Sequence, residues 1–372
     1  MKYYVIAGEA SNDLHGANLI RSLSTRDPNA DFRCWGGDMM QEAGGKIIRH
    51  YRDLAFMGFL EVVSNLNTIR KNFNFCQKDI TEFKADVLIL IDYPGFNLRM
   101  AEFAHKRGLK VFYYISPQVW AWNRSRVHKI KRFVDRMFVI LPFEESFYQE
   151  YNYHVDFVGH PLLDAISNGL QDVERSTFLE RNHLENREIV AILPGSRKQE
   201  IKRMLPTMLA AAFYFPEAQF VIAGAPSIPI EFYRELMGDS KVPVVSGRTY
   251  ALLRNSKAAI VTSGTATLET ALFKVPEVVC YSGNYLSYLL ARQLVKVKYI
   301  SLVNLIMDEP IVKELIQTDF NKKNVKRELE MILKEGEYRQ NMLANMSRLV
   351  DKLGGPGASD KTASLMLKYL TE

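Results

Sequence analysis

The chain has 372 residues, longer than one hydrophobic core usually grows, and typical domains of about 150 residues imply two. With 47% hydrophobic and 24% charged residues it can bury sizeable cores and is not largely disordered. No stretch approaches the roughly 20 apolar residues that cross a bilayer, so any membrane contact is expected to be peripheral. The formal net charge of +6 favours anions, whether nucleic acid, anionic lipid or phosphorylated small molecules. The three widely spaced cysteines, Cys34, Cys76 and Cys280, argue against a disulfide framework and a zinc site and fit a reducing cytosol.

The first apolar run is too short, and too soon ended by Glu9, to be a signal peptide, and reads as a β-strand. Strand-like runs alternate with helical patterns at residues 3–6, 32–35, 87–91, 111–115, 136–140 and 154–158, and the pattern restarts at 189–193, 219–223, 242–245, 258–262 and 277–281. Such alternation predicts an α/β chain with mostly parallel sheets, built as two Rossmann-like domains facing each other across a cleft. The polar helical stretch 171–187, preceded by Gly159-His160-Pro161, is the expected linker. The expected domains are thus 1–165, 166–345 and a tail, 346–372. Within that tail Gly354-Gly355-Pro356-Gly357 breaks the chain before a closing helix, which could return to the first domain or exchange between subunits.

The first strand runs into Gly8-Glu9-Ala10-Ser11-Asn12-Asp13, a small-residue loop before a helix, where backbone N–H groups favour an anion. It is not a Gly-x-Gly-x-x-Gly fingerprint, and Ser11 and Asp13 could equally serve only to cap that helix. Glu9, an acid at the end of a buried strand, points to chemistry. Asp92 follows the apolar run Val87-Leu88-Ile89-Leu90-Ile91, and since Pro94-Gly95 already supplies the turn, Asp92 is favoured as a general base. Further on, Trp120 and Trp122 stand beside Arg124, Arg126, His128, Lys129, Lys131 and Arg132, a cluster suited to stacking, a lipid interface or phosphate contact, against the plainer reading of core tryptophans and a solvated helix. Residues 56–75 interleave Phe56, Met57, Phe59 and Phe73 with Arg70 and Lys71, as an interfacial helix or an ordinary core helix would.

In the second half Gly195, Ser196 and Arg197 follow a predicted strand, and Arg197 can clamp a phosphate. Ser263-Gly264-Thr265-Ala266-Thr267-Leu268-Glu269 opens a helix with exposed N–H groups, a diphosphate cradle in which Glu269 either accepts from ribose hydroxyls or merely complements the helix dipole. No Gly-Lys-Ser/Thr phosphate loop and no Asp-x-Asp pair is present; no metal and no cofactor is expected if Arg197 and helix N–H groups carry the diphosphate charge.

Together these segments resemble the lipid A disaccharide synthase family, inverting transferases of the GT-B type. The resemblance covers nearly the whole chain: Ala7-Gly8-Glu9-Ala10-Ser11 with Asp13 and Gly16; Met57-Gly58 with Glu61-Val62; Asp92, Pro94, Phe96 and Asn97; Ser116-Pro117-Gln118-Val119-Trp120-Ala121-Trp122; Leu141-Pro142-Phe143-Glu144; Gly159-His160-Pro161; Leu193-Pro194-Gly195-Ser196-Arg197; residues 263–269; and Ser301-Leu302-Val303-Asn304. Asn12 stands where the family usually has glycine, Gly95 where it has a second aspartate, and Val303 where proline precedes Asn304. The resemblance implies transfer of 2,3-diacylglucosamine from UDP to the 6-hydroxyl of 2,3-diacylglucosamine 1-phosphate, releasing UDP, at the inner face of the cytoplasmic membrane. It adds Asn304 to the donor residues, and no nucleic acid is expected as a partner. A UDP-N-acetylglucosamine 2-epimerase-like enzyme, or a non-catalytic basic protein binding membrane or RNA, remain the alternatives.

Overall fold

The computed structural model describes residues 1–54, 66–169, 174–283 and 298–372. The chain divides into two compact units, one of Met1–Ser167 with Leu353–Glu372, the other of Asn168–Lys352.

Among the described residues the first unit carries a parallel sheet in the order β3-β2-β1-β4-β5-β6-β7. Its strands are β1 (Lys2–Ala7), β2 (Asp31–Gly36), β3 (Lys46–His50), β4 (Val87–Ile91), β5 (Lys110–Tyr114), β6 (Arg136–Val139) and β7 (Asp156–Phe157). Parallel neighbours need long return connections, and helices supply most of them here. The strand β4 is apolar throughout and fully buried, as expected where both faces of a sheet are covered. Each such side chain contributes roughly 1.5–3 kcal/mol of burial. Helix α1 (Ala10–Arg26) returns the chain from β1 and buries Ala17, Leu19, Ile20 and Leu23 in the core.

The closing helix Ala358–Thr371 packs against α1, and its Ala363 and Met366 belong to the same core. Its start is capped from outside: the Asp164 carboxylate accepts from the backbone N–H of Gly357 at 2.5 Å and of Ser359 at 2.8 Å. Gly357, at φ +109°, supplies the left-handed entry. His160 and His15 are buried beside this anchor; burial pushes His15 down to about 4 against the pull of Asp164, and burial with the neighbouring His15 pushes His160 down to about 3. Asp164, three residues after Pro161, therefore ties the closing helix to the rest of the first unit. The expected tail starts later than the sequence indicates, because helix Glu337–Lys352 lies in the second unit and the return begins at Leu353.

The second unit repeats the plan in the order β10-β9-β8-β11-β12-β13. Its strands are β8 (Ile189–Leu193), β9 (Gln219–Gly224), β10 (Val244–Ser246), β11 (Ser256–Thr262), β12 (Glu277–Tyr281) and β13 (Lys313–Ile316), all paired in parallel. The expected α/β fold of two Rossmann-like domains is present. Strands β3 and β13 were not legible in the sequence. Each stands at a sheet edge among the described residues, and their sequences, Lys-Ile-Ile-Arg-His and Lys-Glu-Leu-Ile, are too short and too charged to show a strand pattern.

Strand order reverses at one place in each sheet, between β1 and β4 and between β8 and β11. In open parallel sheets, ligands bind beyond the carboxyl ends of the strands at such a switch point.

Candidate active site

Ala7 of β1 lies opposite Ile91 of β4, so the residues that follow, Gly8-Glu9 and Asp92-Tyr93, emerge side by side at the first switch point. Glu9 is the half-buried N-cap of α1 in extended backbone, and its side chain makes no capping bond. Asp92 and Tyr93 both adopt left-handed backbone, at φ +44° and +50°. Non-glycine residues hold such angles only where the surroundings impose them. Here the Asp92 carbonyl accepts from the Tyr113 hydroxyl at 2.5 Å and from Asn97 Nδ2 at 2.7 Å, while the Asp92 N–H donates to the Tyr114 carbonyl at 3.1 Å. The backbone is thereby clamped and the carboxyl is left for other partners. Burial, then the neighbouring Glu9 carboxylate, push Asp92 up to about 7, with the Tyr93 N–H opposing. A Cβ at position 8 would collide with the Tyr93 ring, so Gly8 is what lets that ring lie across the end of β1.

At the second switch point Leu193 of β8 lies opposite Val261 of β11, which brings the turns 194–197 and 263–265 to one edge. Arg197 is exposed and forms the N-cap of helix Lys198–Ala212. Gly195 has φ +109°, and the space above it is taken by Glu200, whose carboxylate accepts from the Ser196 N–H at 3.0 Å. The group that uses the missing side chain of Gly195 is Glu200, which ties down the turn carrying Ser196 and Arg197. Gly264 caps helix Thr265–Leu272: its carbonyl accepts from the Thr267 N–H at 3.2 Å, while the N–H groups of Thr265 and Ala266 have no acceptor within the helix. Ser263 donates to the Ile300 carbonyl at 2.9 Å, and Thr265 and Ala266 lie at the exposed end of the helix. One turn on, Glu269 accepts from the Tyr250 hydroxyl at 3.2 Å; burial raises Glu269 above the usual carboxylate range and the Tyr250 hydroxyl opposes.

Other candidate residues fall elsewhere. Asn304 was expected to meet the donor, but it is buried and its amide is spent within the protein: Nδ2 donates to the Val312 carbonyl at 2.9 Å and to Glu314 at 3.0 Å, and Oδ1 accepts from the Val312 N–H at 3.0 Å. Its side chain is held at both ends, with Val303 in place of proline before it. Trp120 is also buried, its ring 5.0 Å from Phe143, so it is a core tryptophan rather than an interfacial one. Beside it, burial pushes Glu144 up to about 7, opposed by the Leu141 and Ile140 N–H groups, the Ser116 hydroxyl and the Trp120 indole. Asp13 caps a different helix from the one expected: its carboxylate accepts from the N–H groups of Gly37, Met39 and Met40 at the start of α2 (Asp38–Glu42).

Ser11 is exposed on the first turn of α1, and Arg124 is exposed near Glu150 and the ring of Phe147. Met57 and Phe59, and the side chain of Trp122, lie outside the described residues. Arg70 and Lys71 are exposed on helix Leu66–Phe83, whose Cys76, Ile80 and Phe83 are buried and whose Phe73 stacks on Phe96 at 4.3 Å. That helix is therefore a core helix over its second half. Among the described residues no group of three or more His, Cys, Asp or Glu side chains stands as a metal site, and no helix is long and apolar enough to cross a membrane. Tyr113, Tyr250, Glu200 and Glu314 were not singled out from the sequence for the positions they hold; Tyr113, Tyr250 and Glu314 meet partners on other elements, which no local motif marks.

Residues 3–369 match the family model of lipid-A-disaccharide synthetase. Among curated relatives, the lipid-A-disaccharide synthase of Syntrophus aciditrophicus is 41% identical over 98% of this chain and 97% of its own length, and that of Trichlorobacter lovleyi is 39% identical over 99% and 97%. Among solved structures, a UDP-GlcNAc 2-epimerase from Neisseria meningitidis bound to UDP-GlcNAc superposes with a TM-score of 0.72 at 14% identity, covering 99% of this chain and 100% of that one. The glycotransferase of kitacinnamycin gives 0.63 at 12% identity, covering 99% and 98%. These two structures share the fold.

Proposed function

The chain belongs to the lipid-A-disaccharide synthase family, whose members are glycosyltransferases of lipid A assembly, and we propose that it joins UDP-2,3-diacylglucosamine to 2,3-diacylglucosamine 1-phosphate with Asp92 as the base. The observation that carries this assignment is the switch point of the first sheet, where a clamped aspartate is pushed up to about 7 by burial and by Glu9. A base with its pKa near the working pH combines availability with driving force. In the proposed step Asp92 takes the proton of the acceptor 6-hydroxyl as its oxygen attacks C1 of the donor sugar. The bond from C1 to the diphosphate breaks on the opposite face, which inverts the anomeric centre. The charge that develops on UDP is received by Arg197 and by the first-turn N–H groups of helix Thr265–Leu272, and Glu269 accepts from the ribose hydroxyls. The first unit thus takes the acceptor and the second the donor.

An epimerase would consume UDP-sugar without an acceptor, and a non-catalytic basic protein would release nothing. The test is UDP release from UDP-2,3-diacylglucosamine with and without 2,3-diacylglucosamine 1-phosphate, with mass spectrometry of the product. Acceptor-dependent release with a disaccharide 1-phosphate product is expected; release that ignores the acceptor would overturn the reading.

Both substrates carry acyl chains, so the enzyme must meet a lipid surface, and the basic segment with Arg70 and Lys71 is the proposed contact. Exposed cations near an anionic surface contribute about 1 kcal/mol each. Reversing both charges, Arg70→Glu with Lys71→Glu, should weaken sedimentation with anionic phosphatidylglycerol vesicles several-fold or more, and undiminished binding would remove this segment from the contact.

A further inference from the structure

The edge strand β13 carries one carboxylate that organises the turn next to the donor residues. Glu314 accepts from the N–H groups of Ile300 at 3.1 Å and Ser301 at 2.9 Å, from the Ser301 hydroxyl at 2.8 Å, and from Asn304 Nδ2 at 3.0 Å. Ser301 in turn caps helix Leu302–Met307 by accepting from the Asn304 N–H at 3.2 Å. The Ile300 carbonyl, fixed by the same turn, accepts from the Ser263 hydroxyl at 2.9 Å. Ser263 immediately precedes Gly264, the N-cap of helix Thr265–Leu272, and its own N–H is held by the Cys280 carbonyl at 2.9 Å. A chain of contacts therefore runs from Glu314 through the 300–301 backbone to Ser263, two residues before that helix begins.

We propose that Glu314 is a positioning residue for the donor diphosphate: its carboxylate sets the 300–304 turn, and through Ser263 it sets where the first-turn N–H groups of helix Thr265–Leu272 point. This rests on the donor reading given above. A carboxylate that gathers several donors from one turn fixes that turn far more tightly than a single neutral bond does, because charge-assisted hydrogen bonds are roughly twice as strong. Preorganised donors stabilise developing charge only when they already stand where the charge will appear, and displacements near 1 Å are costly. The same network explains why Asn304 is turned inward: it serves the anchor and not the ligand.

The experiment compares Glu314→Ala, Glu314→Gln, Ser263→Ala and Arg197→Ala in the full chain, measuring UDP affinity by calorimetry and the separate KM values for donor and acceptor. Glu314→Ala should raise the UDP Kd and the donor KM by about 10-fold while the acceptor KM stays within about 2-fold. Glu314→Gln, whose amide oxygen can still accept, should recover most of that loss. Ser263→Ala should shift the same two quantities in the same direction, and combining it with Glu314→Ala should add less than the sum of the two. A merely structural role would lower the melting temperature without separating donor KM from acceptor KM. If Glu314→Ala does not fold, Glu314→Gln and Ser263→Ala carry the comparison. Unchanged UDP affinity in folded Glu314 variants, with Arg197→Ala still weakening it, would overturn the anchor alone. Unchanged UDP affinity in Arg197→Ala as well would overturn the donor reading and the anchor with it.

Discussion

At the switch point of the first sheet two acids follow neighbouring strands, one of them through left-handed backbone, and one is pushed up to about 7. At the switch point of the second sheet no acid follows either strand directly; the chain offers Gly195, Ser196 and Arg197 on one side and Ser263, Gly264 and Thr265 on the other, leading into helix N-termini. The two halves share topology, so the contrast arises in a few loop residues. The proposed base is held through its backbone carbonyl by Tyr113 and Asn97, whereas the proposed diphosphate site combines Arg197 with backbone groups set by turns. One fold thus supplies two kinds of site by changing what stands just past the ends of its strands.

The contrast is broken most severely if the proton-moving side is not where Asp92 stands. Asp92→Asn keeps the shape and removes the base, so turnover should fall by roughly a hundred-fold or more with UDP affinity unchanged, measured by steady-state kinetics and calorimetry. An intact rate in Asp92→Asn, with turnover abolished in a folded Glu9→Gln, would exchange the two roles. On the other side, Arg197→Ala should lower kcat/KM by about 10- to 100-fold and weaken UDP binding without changing the melting temperature, since the side chain is exposed.

The pH profile sharpens the comparison within the first unit. A base must be deprotonated, so kcat/KM should fall as pH drops below about 7, where Asp92 takes up its proton. Because Glu9 is one cause of the raised value, Glu9→Gln should move that acidic limb toward lower pH; a limb that stays in place would remove Glu9 as the cause. The smallest effect is expected at Tyr250, whose hydroxyl donates to Glu269. Tyr250→Phe removes the bond that opposes the raised Glu269, so the carboxyl should titrate higher still, and the donor KM should rise by about 3-fold with kcat kept.

Most central strands were legible because a strand buried on both faces must be apolar along its whole length, as Val87–Ile91 is. Glu9 and Asp92, close behind those strands, could be singled out because an acid after such a run has no place in the core, and Arg197 because it closes a Pro-Gly-Ser turn with a phosphate-binding side chain. Legibility fails where a role depends on a partner distant in sequence. Tyr113 reaches the Asp92 carbonyl from 21 residues away and Tyr250 reaches Glu269 from 19, and no local motif announces either. Trp120 beside a run of cations reads as a surface anchor, yet helix Val119–Trp122 turns its ring toward Phe143. The edge strands β3 and β13 escape for another reason, since pairing on one side lets them carry charge, although the edge strands β7 and β10 were legible.

The return of the closing helix to the first unit governs the order in which the newborn chain can be completed. Residues 168–352 form an uninterrupted unit, whereas the core of the other unit includes Ala363 and Met366. On the ribosome, where segments emerge from the N-terminus onward, the later-made unit has all its parts first. The earlier-made one waits with one face of α1 uncovered until residue 366 has left the exit tunnel. Its native packing therefore awaits residues made after the whole second unit, and a chain cut between 352 and 358 leaves α1 without its Ala363 and Met366 partners.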